Sequence, residues 1–384
     1  ISIPVQPTMR YQAEHYMEDL MKEITFETTI TKTDSLTLEI FNESALFYDI
    51  ETTGFSAKTN KIYFIGCACR KGTIVTTTQF FSETAEDEAE VLLAFCELCR
   101  NYRTTITFNG LGFDLPFILE RCKKLQAPEY LSQMEHIDIF KQIAPLKKMF
   151  GLTSMKQKSI ETFLGIHRED LYSGGELIPL YYDYLNDQDE ETLYLLQLHN
   201  KEDVLGMIDI LPILSYLELL HGNFEVTSME ENSYQEYDGT KALEIIFSLK
   251  LSYPLPKPLS CRREDIYLSA HDNTAKLRVK AFQGELKHFY PNYKDYYYLP
   301  QEDMAVHKSV AEYVAKEFRV KAKASTCYTK KESRFLPQHQ ELYSPCFKMD
   351  VKDKYSYFEL NDDFNLSKEM QKSYALHLLN TLAK

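Results

Sequence analysis

The order of secondary-structure elements after residue 44 is the sequence feature that most constrains the fold. Three β-like stretches, "ALFYDIE", "NKIYFIGCACRKG" and "TIVTTTQFFS", follow one another closely. Lys71-Gly72 predicts a turn between the last two, so we expect the three strands to be antiparallel neighbours. A charged helical stretch, the strand "TTITFNG" and the helix "DLPFILERCKKL" come next. This order predicts an α/β fold in which a mixed sheet is flanked by helices.

The pattern divides the chain into three parts. Residues 1–43 form an N-terminal extension with a helix, "YQAEHYMEDLMKEI", and a β-hairpin, "FETTITKTDSLTLEIF". Residues 44–222 form the α/β domain and end in a long helix that Pro212 bends or divides. After a break near "HGNFEVTSMEENSYQEYDG", residues 223–384 form a β-rich α+β domain of unknown role. That domain has a helix around "AVHKSVAEYVAKE" and a terminal helix with Ser367 near its N-cap.

Composition narrows the class of protein. Hydrophobic residues make up 44% and charged residues 26% of the 384 residues, as in soluble globular proteins. No apolar run approaches the roughly 18 residues of a membrane span, and the first residues lack a signal-peptide pattern, so we expect no membrane partner. Eight cysteines are too sparse for a disulfide scaffold, which indicates a reducing, cytoplasmic location.

Cys96 and Cys99 form a CxxC pair that has two structural interpretations. The pair is either part of a thiolate metal site or, as we favour, the buried face of the amphipathic helix "EAEVLLAFCELCRNY".

Charge is unevenly distributed along the chain. The net charge of −14 argues against indiscriminate nucleic-acid binding, yet residues 276–334 hold thirteen Lys and Arg against seven Asp and Glu. The stretch "KLRVKAFQGELKHFYPNYKDYYY" interleaves cations with aromatic residues. It is either a phosphate-binding and stacking face or a Tyr-rich core with ordinary surface lysines.

Two carboxylates stand at the end of the first strand. Asp49 and Glu51 in "ALFYDIETTGFS" are two residues apart, so they point to the same face of the strand. An unpaired buried charge is costly, and an apolar strand that carries two of them therefore needs an explanation.

Two further motifs supply acids. Asp114 in "NGLGFD" begins a helix and is either a helix N-cap or a site residue. His199 and Asp203 in "HNKED" are four residues apart on the long helix, where they share a face. That pair is either solvated or part of a site. Together, the four carboxylates and the histidine suit divalent cations, which prefer oxygen ligands and serve phosphoryl transfer in pairs.

The motifs "DIETTG", "NGLGFD" and "HNKED" resemble, in order and spacing, the three exonuclease motifs of the DEDD superfamily. The segments at 136–140 and 160–185 resemble its YprB subgroup, the mitomycin repair factor B (MrfB) type. The resemblance covers residues 44 to 220. It implies a ribonuclease H-like fold and a 3′→5′ DNA exonuclease that releases nucleoside 5′-monophosphates. It also implies a role in DNA repair beside a partner helicase.

The resemblance also implies a role for each candidate residue of the site. The metal ligands, for two Mg²⁺ or Mn²⁺ ions, would be Asp49, Glu51, Asp114 and Asp203. His199 would orient or deprotonate the attacking water. Thr52 and Thr53 would contact the 3′-terminal nucleotide, and Asn109 and Phe113 would line the site, Phe113 by stacking on a base.

The position of His199 departs from the superfamily pattern. In the histidine branch the histidine lies five residues before the last aspartate, and in the tyrosine branch the tyrosine lies four before it. Here residue 199 lies four before Asp203, and residue 198 is leucine. Three interpretations remain: His199 contacts the water directly, it acts through a second water, or it is not the base.

Three functions fit these motifs. A DNA exonuclease is the leading hypothesis. An exoribonuclease has the same motifs, because a pocket that excludes the 2′-hydroxyl cannot be recognised from sequence. The third is a non-catalytic nucleic-acid-binding adaptor, and the presence of all four carboxylates argues against it.

Overall fold

The computed structural model describes residues 21–384, which divide into two compact units between Leu217 and Glu218. This division lies five residues before the boundary predicted at 222/223.

The first unit is a six-stranded mixed sheet with helices on both faces. Its strands are β1 (Lys22–Thr29), β2 (Ala45–Thr52), β3 (Ile62–Lys71), β4 (Ile74–Phe81), β5 (Thr104–Thr107) and β6 (Glu135–Asp138). Its helices are α1 (Ser35–Ile40), α2 (Glu88–Cys99), α3 (Asp114–Leu125), α4 (Ile139–Ile143), α5 (Gln157–Leu164), α6 (Gly174–Asp187) and α7 (Glu190–Ile210), and α8 (Ser215–His221) crosses the division.

The strand order is β1-β4-β3-β2-β5-β6. Strands β2, β3 and β4 are antiparallel as predicted, with Gly72 in the left-handed conformation (φ 58°) at the predicted turn. Strand β5 runs parallel to β2 on its other side, and β6 runs parallel to β5. The α/β prediction of a mixed sheet with flanking helices is therefore confirmed.

Helices cover both faces of β2. The side chains of Leu46, Tyr48 and Ile50 pack into one core with α2 and α3. The alternate residues, Asp49 and Glu51 among them, face α7 on the opposite side. The strand is apolar because both of its faces are covered, and its two acids project towards a single helix.

The CxxC pair lies in the core between α2 and the sheet. Cys96 and Cys99 are both buried, and Cys96 Sγ lies 3.9 Å from Cys122 Sγ on α3. All eight cysteines are free. The helix-face interpretation is the one that the structure shows.

The predicted hairpin at 26–41 is wrong. Strand β1 instead pairs along its whole length with β4, and residues 35–40 are helical. Asp34 caps that helix by accepting the backbone N–H of Thr37 at 2.9 Å. The preceding helix prediction lies outside the described residues up to position 20, and its last three residues belong to β1. The described part of the predicted extension is thus continuous with the sheet.

Pro212 divides the long helix as predicted. Helix α7 ends at Ile210, and a short 3-10 segment at 211–214 separates it from α8. The stretch Glu190–His221 is long and apolar enough to cross a membrane by length and composition. However, 67% of its apolar window is buried, and α7 packs on β2 and β3 as a core helix.

The second unit contains two antiparallel sheets and a terminal helix. The larger sheet has the order β14-β13-β9-β8-β7 and the smaller one β11-β10-β12. Their strands are β7 (Phe224–Gln235), β8 (Lys241–Arg263), β9 (Ile266–Phe289), β10 (Tyr296–Leu299), β11 (Met304–His307), β12 (Val320–Lys321), β13 (Tyr328–Gln338) and β14 (Ser356–Glu359). The helices are α9 (Lys308–Ala311), α10 (Asp362–Leu366) and α11 (Lys368–Ala383). The β-rich prediction for this region is confirmed.

Three local predictions in this unit have mixed outcomes. The stretch predicted as a break, residues 221–239, contains strand β7. The helix predicted at 305–317 is only the four-residue α9. The terminal helix is confirmed, with the Ser367 hydroxyl accepting the backbone N–H of Met370 at 3.2 Å. The break was misread because β7 is polar on its exposed face, as expected for a strand at a sheet edge.

Candidate active site

Strand β2 delivers its two acids at a local irregularity of the sheet. The pairing of β2 with β3 shifts in register between Glu51 and Thr52, which indicates a β-bulge. Bulges re-aim side chains and are common beside functional sites. The Glu51 side chain is buried, and Asp49 is partly exposed.

Helix α7 supplies the facing pair. The Nε2 atom of His199 lies 3.2 Å from Asp203 Oδ2 and 3.4 Å from Glu51 Oε1. The side chain of His199 is 3% exposed, so the pair on the helix is not a solvated one. Glu51, His199 and Asp203 could together hold a metal ion, because one ligand atom from each lies within 4.8 Å of the others.

Asp114 joins the cluster from the start of α3. Its Oδ1 atom accepts the backbone N–H of Ile50 at 3.2 Å, between the two acids of β2. The alternative of a helix N-cap is wrong, since the capping position is Phe113 and no side chain caps this helix. The structure therefore brings the four predicted carboxylates and His199 together.

Burial and mutual repulsion raise the pKa of most of these acids. Burial first, and then the charges of neighbouring acids, raise the pKa of Asp49 well above its ordinary value. Burial likewise raises the pKa of Glu51 to about 8, against the opposing effect of His199. Burial raises the pKa of Asp114 to about 7 although backbone hydrogen bonds oppose the rise. The cluster holds more negative charge than its own cations neutralise.

Three carboxylates lie close to the His199 ring, so their negative charge calls for a proton on the ring or a cation beside it. Its Nδ1 atom lies 2.8 Å from Asp170 Oδ2, and its Nε2 atom faces two further carboxylates. Burial opposes protonation, but the hydrogen bond with Asp203 and the charges of Glu51, Asp203 and Asp170 raise the pKa of His199 to about 9. In a neutral ring that donates from Nδ1, the Nε2 lone pair would point at carboxylate oxygens.

The residues fit divalent metal ions. Four carboxylates provide hard oxygen donors of the kind that Mg²⁺ and Mn²⁺ prefer, and three of them have raised pKa values that a bound cation would lower. The ligands would be Asp49, Glu51, Asp114 and Asp203.

A buried arginine that holds Asp203 was not predicted from the sequence. Arg168 pairs with Asp203 Oδ1 through Nη1, and with Glu161 through both Nε and Nη2. The Arg168 and Glu161 side chains are 8% and 2% exposed. Gln157 donates to the Asp203 backbone oxygen at 2.8 Å and to Glu161 Oε1 at 3.0 Å. One oxygen of Asp203 is thus fixed, and the other faces the cluster.

Asp170 and Asp138 are further supports. Asp170 is held by Lys158 Nζ at 2.7 Å and by the backbone N–H of Tyr172 at 3.0 Å, and it orients His199. Asp138 accepts the backbone N–H groups of Asn109 and Leu111 at 2.9 and 3.1 Å, which fixes the turn before Asp114. These supports lie in 136–140 and 160–185, the segments that resemble the YprB subgroup.

The predicted substrate-binding residues lie in the turns that follow β2 and precede α3. The Thr52 hydroxyl donates to the Gly54 carbonyl at 2.9 Å, and the Thr53 hydroxyl accepts the Lys61 backbone N–H at 2.9 Å. Both hydroxyls therefore already stabilise the turn after β2. Their contact with a nucleotide stays a prediction.

Asn109 and Phe113 belong to the turn that precedes α3. Asn109 is exposed and has a left-handed backbone (φ 65°). The Phe113 ring lies 5.5 Å from that of Phe117 and 6.5 Å from that of Phe55. Phe55 is 86% exposed, so this aromatic edge is open to solvent.

Comparison with known proteins identifies the fold of the first unit. Residues 46–215, less than half of the chain, match the family model RNase_H_2 of the RNase_H superfamily. This domain is ribonuclease H-like. The match covers the three motifs and the supporting segments.

The individual proteins that are similar to this chain either match a short part of it or have low sequence identity to it. A DNA polymerase of Ostreid herpesvirus 1 (isolate France) is 33% identical over 94 residues, which are 24% of this chain and 4% of the polymerase. The family B DNA polymerase of Pyrobaculum calidifontis matches with 15% identity and a TM-score of 0.36, over 67% of this chain and 36% of its own. The zinc-bound E. coli ExoI–ssDNA complex matches with 11% identity and a TM-score of 0.27, over 89% and 70%. The assignment of the ribonuclease H-like domain rests on the superfamily match and the sheet.

Proposed function

We propose that the ribonuclease H-like domain is a metal-dependent 3′→5′ DNA exonuclease that releases nucleoside 5′-monophosphates. The observation that carries this proposal is the convergence of Asp49, Glu51, Asp114 and Asp203 with His199 at the end of β2. A cluster of four acids, of which Glu51 and Asp114 are buried, is costly to fold, and a pair of divalent cations would offset that cost.

Two bound Mg²⁺ or Mn²⁺ ions would activate the attacking water and stabilise the leaving oxygen of an in-line displacement. The chain's own contribution is positioning. Arg168 fixes one oxygen of Asp203, and the Ile50 N–H fixes one oxygen of Asp114. Asp170 sets the ring orientation of His199 and holds its Nε2 towards the cluster. There the ring would orient the water, and it would accept the water's proton once bound cations lower the pKa of His199 from about 9.

The decisive experiment follows the two ends of the substrate. Oligonucleotides labelled at the 3′ or the 5′ end are supplied as single-stranded DNA, duplex DNA and RNA, with Mg²⁺ or Mn²⁺. Immediate release of the 3′ label as a mononucleotide, and progressive shortening of the 5′-labelled strand, would support the proposal. The Asp49→Asn variant is the matched inactive control. If the wild-type protein shortens no substrate, the chain is not a nuclease and the adaptor hypothesis gains support.

The same experiment separates DNA from RNA. We propose DNA because the subgroup that the chain resembles includes a DNA exonuclease. Faster shortening of RNA than of DNA of the same sequence would make the chain an exoribonuclease.

The role of His199 has its own test. We expect His199→Ala to lower kcat by about 10²- to 10⁴-fold if the imidazole transfers the proton. The matched control is Asp170→Asn, which keeps the ring but changes its orienting partner. A His199→Ala variant with nearly normal kcat would contradict the base assignment while leaving the nuclease proposal intact.

We further propose that the protein acts in the cytoplasm in DNA repair, beside a partner helicase. This rests on the resemblance to the YprB subgroup and on the free state of all eight cysteines. Affinity capture of the tagged protein after DNA cross-linking should enrich a helicase. Equal recovery of helicases by an unrelated tagged protein would contradict the partnership.

A further inference from the structure

A groove adjoins the carboxylate cluster on the ribonuclease H-like domain. It has a volume of about 680 Å³ and contains Asn109 and Gln157 in its wall. Gln157 is the residue that donates to the Asp203 backbone oxygen. Asn109 begins the turn that leads to Asp114. Two residues of the groove wall therefore connect it to the site, Gln157 by a hydrogen bond and Asn109 along the chain.

The groove differs from the site in its chemistry. Phe108 and Phe140 lie in its wall, both half-buried, with ring centroids 5.8 Å apart. Lys147 and Lys156 also line it, and both are exposed. Among residues 21–384, neither lysine has a carboxylate within ion-pair distance. Within the described part of the chain, no Asp or Glu lines the groove.

Two unpaired cations and two aromatic rings beside an acidic centre are complementary to an unpaired nucleic-acid strand. Lysines attract phosphates, and aromatic rings stack on bases that are not paired in a duplex. The volume suits an organic ligand, since small-molecule sites span roughly 300–1,000 Å³.

We propose that this groove binds single-stranded DNA on the 5′ side of the phosphodiester that is cleaved. Lys147 and Lys156 contact its phosphates, and Phe108 and Phe140 contact its bases. This inference rests on the proposed function and adds the path of the substrate strand to it.

The test compares two pairs of lysines. In the Asp49→Asn background, Lys147→Gln/Lys156→Gln removes the groove charges. The matched control, Lys141→Gln/Lys148→Gln, removes two exposed lysines of the same region that do not line the groove. Binding of a fluorescent single-stranded DNA is measured by anisotropy over a range of salt concentrations.

We expect the groove pair to weaken binding by about tenfold. It should also reduce the slope of log K against log salt by about 1.4, since each phosphate contact on a single strand contributes about 0.7. The control pair should change the slope much less. Equal slopes for the groove pair and the control pair would overturn the inference.

A second measurement separates this inference from the proposed function. With Asp49 restored, the groove pair should raise KM for a long single strand and leave KM for a dinucleotide unchanged, because a dinucleotide does not extend into the groove. If the enzyme shortens DNA and KM is the same for the groove and control pairs, the groove inference fails alone. If the wild-type protein neither binds nor shortens DNA, both fail.

Discussion

The buried ion pair between Arg168 and Glu161, next to Asp203, leads to a quantitative prediction about stability. Replacing Arg168 with methionine keeps much of the side-chain volume but leaves the Glu161 carboxylate 2% exposed and without its cation. Breaking a buried pair in this way costs about 3–5 kcal/mol of unfolding free energy. Domains have only about 5–15 kcal/mol of stability, so we expect a large loss in the first unit.

The magnitude can be tested against two reference variants. Arg168→Met/Glu161→Gln removes the orphaned charge and should recover at least half of the loss, about 2 kcal/mol. Arg100→Met breaks the exposed pair with Glu97, whose side chains are 56% and 54% exposed. It should leave the free energy of unfolding nearly unchanged, because solvent screens an exposed pair.

The assay is urea unfolding followed by far-UV circular dichroism, because the chain contains no tryptophan. The transitions of the two units are fitted separately, since a two-unit chain need not unfold in one step. A loss under about 1 kcal/mol for Arg168→Met, or a double variant that costs the sum of its single variants, would refute the reasoning.

Three further predictions follow from other contacts in the structure. Mn²⁺ at about 100 times its Kd should add about 2.7 kcal/mol to the stability of the first unit, and calorimetry of Asp49→Asn should show a much smaller gain. An equal gain would place the metal elsewhere. Burial, and then the charge of His339, lower the pKa of His377 to about 4. The unfolded chain therefore takes up this proton first, and stability present above about pH 6.5 is lost as pH falls towards 4. Allowing for partial exposure, the loss is about 1–2 kcal/mol. In urea unfolding, His377→Gln should reduce the dependence of the unfolding free energy on pH between about 6.5 and 4. An unchanged dependence would show that His377 does not cause it. Gly66→Ala should cost about 1–3 kcal/mol, because the added Cβ overlaps Asn200 Oδ1. If Gly66→Ala unfolds at the wild-type Tm, α7 moves to accommodate the added methyl group without loss of stability, and the expected cost is wrong.

The carboxylates could be predicted from sequence because their spacing is local. Alternation along a strand places Asp49 and Glu51 on one face, and the helical repeat places His199 and Asp203 on another. Each rule uses only neighbours in sequence. The structure needed only to bring the two faces together.

The supports of the site could not be predicted, because they depend on distant packing. Arg168 and Asp170 lie in a connection between two helices, where no periodicity marks a buried charge. Their partners in the site, Asp203 and His199, are 35 and 29 positions away in the chain. The partner of β1 was hidden for the same reason, although Asp34, as a helix N-cap residue, was a usable local signal against the hairpin.

The position of His199 becomes a question of how α7 is rotated about its axis. Asn200 is fully buried, donates to Asp49 at 3.4 Å and accepts from Gln79 at 3.1 Å. Gly66 leaves room for it against β3. With that side chain locked on the sheet, residues 199 and 203 differ by only about 40° around the helix and both face Glu51. Residue 198 is rotated about 140° from Asp203 and turns away from the cluster. In this chain, a histidine four residues before the last aspartate is therefore the one that the packing of α7 brings to the acids.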